Sequence, residues 1–203
     1  CLIATGYQDF LSSLSILLNE LPELQEPEAD NTVRVRIAFG VDTRNAKRIG
    51  RSIPISEEMR LSWLERSGLM VEDHSDLMAA LARDAVAAGK IQLRVFDPSA
   101  AQDLFGISGD RRMHAKIVSS PLGAVAGSAN FSRSGLYRNI EYADGLGAGS
   151  HELEEERQKA AEQIWEASVD WTKEALEILD NLIRPVSAEL AIARTVVEQK
   201  GFK

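Results

Sequence analysis

A histidine and a lysine two residues apart, followed by a serine and an asparagine two residues apart, occupy a mostly apolar stretch of the sequence. The stretch reads MHAKIVSSPLGAVAGSANFS and contains His114, Lys116, Ser128 and Asn130. A neutral imidazole can attack phosphorus, and a reference pKa of about 6.5 keeps it largely unprotonated at neutral pH. An ammonium, a hydroxyl and an amide can stabilise phosphoryl oxygens as charge redistributes in the transition state. These residue types are therefore suited to phosphate chemistry.

A carboxylate follows at Glu141, between the apolar residues Ile140 and Tyr142. A carboxylate that is hydrogen-bonded to the second ring nitrogen of His114 would fix the tautomer and stabilise the positive ring formed on attack. We assign this role to Glu141. The chain has three His and one Cys, and SHELEEE (150–156) does not match the HExxH pattern. We therefore expect neither a metal ion nor another cofactor at the site.

Neighbouring strands must carry these residues if they are to act together. The sequence predicts strands at MHAKIVSS (113–120), GAVAGSANF (123–131) and NIEYADGL (139–146). Alternate residues of a strand project from the same face of a sheet. The histidine and the lysine would therefore share a face, and so would the serine and the asparagine of the next strand.

Each of these residues, taken alone, also has an ordinary structural explanation. His114 could be a hydrogen-bonding residue of a strand, Ser128 a turn former and Asn130 a cap of the following turn. Glu141 could form a surface ion pair with Arg138. These explanations do not account for the order of the five residues or for the shared face, so we favour the chemical interpretation.

The rest of the chain alternates between strand and helix patterns. Strands are predicted at 2–5, 33–40 and 91–97, helices at 10–21, 59–88 (interrupted near Ser67) and 151–184, and a long connection at 41–58. This alternation predicts an α/β fold in which a mixed sheet is flanked by helices on both faces. Trp165 and Trp171 are expected in the core or at an interface. We expect one domain over residues 1–184, followed at 185–203 by a helical tail that could begin a linker or a further domain.

Composition and charge limit the function further. The 203 residues are 44% hydrophobic, carry a net charge of −8, and include neither a run of eighteen apolar residues nor a signal peptide. We therefore expect a soluble, cytoplasmic protein without a membrane partner. Residues 33–144 are mildly basic, with sixteen bases against thirteen acids, and lie between acidic flanks. Any single arginine of this region is most simply explained as a solvated surface charge. Together, four of them are predicted to bind an anionic substrate: Arg111, Arg112, Arg133 and Arg138.

Five residues, which we call the chemical residues, also carry a family resemblance: His114, Lys116, Ser128, Asn130 and Glu141. His114-x-Lys116, then Gly127-Ser128-x-Asn130, then Glu141 resembles the HxK…GSxN…E signature of the phospholipase D superfamily. GSANFSRSGLYRNIEY (127–142) is similar to the corresponding segment of its bacterial nuclease-like members, and ATGYQDFLSSLSILLNEL (4–21) resembles their opening strand and helix. One position departs from the pattern. The family usually has an Asp five residues after the Lys, as a support of the motif's structure, and here that position is Pro121.

The resemblance implies a metal-independent phosphodiesterase that acts through a phosphohistidine intermediate. In the family two motifs build one active site, in which one His attacks phosphorus and the other protonates the leaving oxygen. This chain has one motif, so the resemblance implies a homodimer whose two-fold axis passes through the site. Because the short single-motif members are nuclease-like, nucleic acid is the expected substrate rather than lipid. Among nucleic acids, DNA is the expected one.

The alternative is a catalytically weak dimerisation or docking module. Domains of this kind accompany helicase-type ATPases and restriction systems, so such domains are possible partners in a longer protein. Pro121 distinguishes the phosphodiesterase hypothesis from the docking-module hypothesis. If Pro121 shapes the motif loop so that Lys116 is displaced, the docking module is favoured.

Overall fold

Seven strands form one mixed sheet in a computed structural model that describes residues 1–6, 10–26, 35–40, 76–98, 113–147 and 151–183, and the single residues 100, 102 and 106. The strands are β1 (Leu2–Gly6), β2 (Val35–Gly40), β3 (Ile91–Phe96), β4 (Ile117–Ser120), β5 (Gly123–Gly127), β6 (Ala143–Gly147) and β7 (Ser168–Asp170). Their order across the sheet is β6-β5-β4-β1-β2-β3-β7. β1, β2 and β3 are parallel to one another, whereas β4, β5, β6 and β7 each join the sheet antiparallel to their neighbours.

Five α-helices accompany the sheet within the described residues. They are α1 (Phe10–Glu20), α2 (Asp76–Ala87), α3 (Arg133–Tyr137), α4 (His151–Glu166) and α5 (Thr172–Ile183), and a 3₁₀ turn covers Pro22–Leu24. None of these helices is both long enough and apolar enough to cross a bilayer.

Alternation along the central strands creates a core on each face of the sheet. Ile3 of β1 packs into a cluster with α1, α2 and α5, whereas its neighbours Leu2 and Ala4 pack on the other face with α4. Trp171 is fully buried in the first cluster, with its ring centroid 4.9 Å from that of Phe10 in an edge-to-face arrangement. The prediction of an α/β fold with helices on both faces is therefore confirmed.

The helix predicted over 151–184 is wrong, because a short strand divides it. Residues 168–170 form β7, which pairs with β3 at the edge of the sheet. The backbone N–H of Trp171 donates to the carbonyl oxygen of Leu93 at 2.9 Å, so the chain leaves its helical path to complete the sheet. A side-chain oxygen of Asp170 accepts the N–H of Thr172 at 2.7 Å, which caps the start of α5.

The three strands around the chemical motif are shorter than predicted. Regular pairing covers only 117–120, 123–127 and 143–147, because the chain leaves the ladder where the polar residues begin. The predicted elements at 2–5, 10–21 and 91–97 agree with β1, α1 and β3. The predicted connection at 41–58, the first half of the helical segment 59–88 and the tail at 185–203 lie outside the described residues. The division of the chain at residue 184 therefore stays a prediction.

Candidate active site

The five chemical residues lie at one edge of the sheet, just beyond the ends of three strands. His114 and Lys116 precede β4, Ser128 and Asn130 follow β5, and Glu141 precedes β6. Antiparallel pairing of β4 with β5, and of β5 with β6, brings these three strand ends together. β1 and β2 also end at this edge, since Ala4 pairs with Ile117 and β2 runs parallel to β1. We call it the site edge; the carboxyl ends of parallel strands are where α/β sheets commonly bind ligands.

Strand order, rather than alternation along strands, brings the five residues together, because none of them lies within a strand. The segment before β4 nevertheless keeps an alternating pattern. Met113, Ala115 and Ile117 pack toward the cluster on the α4 face. His114 and Lys116 therefore face away from that cluster, as the strand argument predicted for this pair.

A hydrogen-bonded group joins β5 to β6 at the site edge. The hydroxyl of Ser128 donates to the carboxylate of Glu141 and accepts the N–H of Tyr142 at 3.1 Å. The side-chain amide of Asn139 donates to the same carboxylate at 3.2 Å. The backbone N–H of Ser128 donates to the carbonyl oxygen of Tyr142 at 2.9 Å, which continues the ladder by one step. Glu141 is therefore held by its own strand pair.

These bonds lower the pKa of Glu141. The hydrogen bond from Ser128 has the largest effect and the bond from Asn139 the next, whereas desolvation raises this pKa and the positive charge of Lys116 has the smallest effect, which lowers it. Glu141 is thus a carboxylate at neutral pH. Within the described part of the chain it makes no hydrogen bond to His114, although the sequence led us to expect one.

The remaining chemical groups differ in exposure. The ring of His114 is exposed, and the ammonium of Lys116 donates to the carbonyl oxygen of His114 at 2.9 Å. Asn130 is half-buried, and its side-chain oxygen is fully buried without a hydrogen-bond partner among the described residues. An imidazole, an ammonium and a hydroxyl thus lie at the surface, beside a half-buried amide.

The predicted substrate-binding arginines divide into two pairs. Arg133 begins α3 and Arg138 follows its last residue, and both are exposed beside the site edge. Arg111 and Arg112 lie outside the described residues, as does His74. His151 begins α4, on a different segment from the motif.

An exposed apolar surface adjoins these residues. Four large side chains are largely accessible on the segment between β5 and β6, and Ile140 is fully so; we call them the apolar patch: Leu136, Tyr137, Ile140 and Tyr142. Exposed apolar side chains commonly mark an interaction site where they form a contiguous surface.

Pro121, the departure from the family pattern, lies far from the chemical residues. It occupies the two-residue turn that joins β4 to β5, where the hydroxyl of Ser120 accepts the N–H of Leu122 at 3.2 Å. The four residues of β4 separate it from Lys116, and five residue steps of extended chain span about 16 Å. The carbonyl oxygen of Lys116 accepts the N–H of Gly127 at 3.1 Å. Lys116 is therefore held in register at the site edge.

Sequence reasoning did not identify three hydroxyl residues that contact the segment after β5. Thr5, Ser12 and Ser13 each form a hydrogen bond with the main chain of Phe131 or Arg133. These partners are more than one hundred residues apart, so no local pattern indicates the bonds. The available signal was the polar pair Ser12-Ser13 within the mostly apolar first half of α1.

Comparisons with known proteins add no assignment. The sequence matches no protein-family model, and no curated protein is significantly similar to it. Among the described residues, no three His, Cys, Asp or Glu side chains are placed to hold a metal ion together.

Proposed function

We propose that the protein is a phosphodiesterase of phospholipase D type, most specifically a nuclease, and that two copies share its active site. One observation carries the proposal: an exposed imidazole, an ammonium, a hydroxyl and a half-buried amide from two separate segments meet at one edge of the sheet. His114 is the nucleophile. Lys116, Ser128 and Asn130 stabilise the phosphoryl oxygens.

The reaction has two steps that need no metal ion. The neutral imidazole of His114 forms a bond to phosphorus while the bond from phosphorus to the leaving oxygen breaks, and that oxygen takes a proton from a general acid. Water then gives a proton to the conjugate base of that acid, attacks the phosphorus of the phosphohistidine and releases the imidazole. The positive charge of Lys116 offsets the charge on the non-bridging oxygens in both steps.

The identity of the acid supports a dimer. A general acid must be protonated at the operating pH, whereas hydrogen bonds and Lys116 hold the pKa of Glu141 below its usual range. Glu141 is therefore unsuited to this role. His114 of a second copy supplies the proton when the two-fold axis passes through the site edge. The apolar patch lies beside that edge and is the surface that such a dimer would bury.

Nucleic acid is the substrate class that the surroundings favour. Arg133 and Arg138, at the two ends of α3, can contact backbone phosphates on either side of the cleaved bond. The net charge of −8 opposes strong binding by the isolated domain, so we expect weak, salt-sensitive affinity.

A docking module without catalysis is the second candidate, because the apolar patch could serve association alone. The position of Pro121 at the distant turn gives this candidate no support, since Lys116 stays paired at the site edge.

Hydrolysis of bis(p-nitrophenyl) phosphate and of single-stranded DNA, measured in EDTA, tests the proposal. We expect hydrolysis that survives chelation, that tungstate inhibits as a phosphate mimic, and that falls by about 10³-fold or more in His114→Ala and in Lys116→Ala. His74→Ala and His151→Ala are the matched controls and should retain activity. Activity that requires added magnesium, or equal losses in all three histidine variants, would contradict the mechanism.

A further inference from the structure

We infer that Thr5 and Ser13 are positioning residues of the site, because they fix the main chain next to Asn130 from both sides. The inference rests on the proposed function for its kinetic consequence. The hydroxyl oxygen of Thr5 accepts the N–H of Phe131 at 2.9 Å, and the hydroxyl of Ser13 donates to the carbonyl oxygen of Phe131 at 2.5 Å. We call these two residues the hydroxyl clamp.

The clamp joins distant parts of the fold. Thr5 lies near the end of β1 and Ser13 lies in α1, whereas Phe131 follows β5 in a segment that has left the sheet. Both hydroxyl residues are 0% exposed. A buried hydroxyl destabilises the fold unless it is hydrogen-bonded, so each side chain requires the Phe131 main chain in this position.

Other contacts hold the same loop on the C-terminal side of Phe131. The hydroxyl of Ser12 accepts the N–H of Arg133 at 2.8 Å, which anchors the start of α3 to α1. Gly135 of α3 lies against Asn130 so closely that a Cβ there would be 2.3 Å from the Asn130 carbonyl oxygen. The loop therefore has no room to shift toward α3, and the hydroxyl clamp prevents movement away from β1.

Asn130 depends on this support for the placement of its side chain. Its side-chain oxygen has no hydrogen-bond partner in the described part of the chain. The amide is consequently positioned by the backbone that carries it. In the proposed reaction Asn130 must meet a phosphoryl oxygen, and a misplacement of about 1 Å can reduce a rate by about 10²-fold.

Thr5→Val and Ser13→Ala test the inference, since each removes one hydroxyl with little change of shape. We expect kcat for bis(p-nitrophenyl) phosphate to fall by about 10–100-fold in each variant, with KM nearly unchanged. Thr5→Ser, which keeps the acceptor, should recover most of the activity. In an Asn130→Ala background, Thr5→Val should cause little further loss, because the group that it positions is already absent.

A stability control separates positioning from general damage. Ser168 is also buried and donates to the carbonyl oxygen of Ile164 at 2.6 Å, at the far side of the sheet. Ser168→Ala should lower the melting temperature by a similar amount and leave kcat unchanged. Either of two results would overturn the inference. In the first, kcat of Thr5→Val falls only as far as its lower melting temperature accounts for. In the second, Thr5→Val lowers kcat as much in the Asn130→Ala background as in the wild type.

A readout without catalysis distinguishes this inference from the proposed function. Hydrogen exchange of the Phe131 amide should be slow in the wild type and faster in Thr5→Val, while amides of β2 stay protected. A rapidly exchanging Phe131 amide in the wild type would refute the clamp itself. Slow exchange in a protein that hydrolyses no phosphodiester would instead refute the proposed function and leave the clamp in place.

Discussion

Replacing Ile140 with Asp should dissociate the proposed dimer and abolish its activity. Ile140 is fully exposed in the single chain and directly precedes Glu141 at the site edge. Complete burial of an isoleucine side chain contributes about 1.5–3 kcal/mol. A two-fold interface buries this side chain twice, so the substitution removes about 3–6 kcal/mol, or a factor of about 10²–10⁴ in the dissociation constant. An unpaired carboxylate in the interface would weaken it further.

Sedimentation velocity and hydrolysis of bis(p-nitrophenyl) phosphate, measured over the same range of protein concentration, test this prediction. Leu122→Asp is the matched control, because Leu122 is also highly exposed but lies in the turn at the other end of β4. The control should stay dimeric and active, whereas Ile140→Asp should sediment as a monomer with intact secondary structure. A wild type that is monomeric and fully active, or an Ile140→Asp variant that remains an active dimer, would refute the shared site.

Two further predictions concern the site residues. When wild type and His114→Ala are refolded together in equal amounts, activity should fall to about a quarter if each site needs both copies, and to about a half if each chain works alone. Ser128→Ala removes the largest cause of the lowered pKa of Glu141, so this pKa should rise toward its ordinary value in an NMR titration. The lowered pKa means that the carboxylate of Glu141 stabilises the fold above about pH 4.3 and loses this effect as the pH falls through the folded value. In Ser128→Ala the stabilising effect of the Glu141 carboxylate should be lost at a higher pH than in the wild type. An unchanged NMR titration of Glu141 would contradict the hydrogen bond from Ser128 as the main cause of its lowered pKa.

The sequence predicted the elements whose pattern is local. β1, α1 and β3 have apolar residues at the spacing of their own structure, and the core around Trp171 follows from the same pattern. β7 could not be read in this way, because three residues carry too little periodicity to interrupt two long helical patterns. Asp170, two residues before Thr172, was the available sign that a new helix starts there.

The sequence indicated which residues make up the candidate site. It did not indicate where they lie relative to the strands or which hydrogen bonds they form. The sequence indicated that His114 and Lys116 would share a face, and the packing of the alternate residues Met113, Ala115 and Ile117 agrees. It did not indicate that all five residues would lie beyond the strand ends, since the lengths of paired strands depend on partners elsewhere in the sheet. The bonds from Ser128 and Asn139 to Glu141 form across a strand pair and a loop, and no spacing in the sequence specifies them.

The hydrogen bonds between Phe131 and the opening strand and helix have a consequence for the order of folding. Residues 5 and 131 are 126 positions apart, so this contact closes a very long loop. Closing such loops is slow and comes after local structure has formed. β1 stays without its antiparallel neighbour β4 until more than one hundred further residues have been synthesised. A nascent chain therefore cannot form the hydroxyl clamp before Phe131 has been synthesised, and a fragment lacking β1 and α1 should contain every chemical residue and yet be inactive.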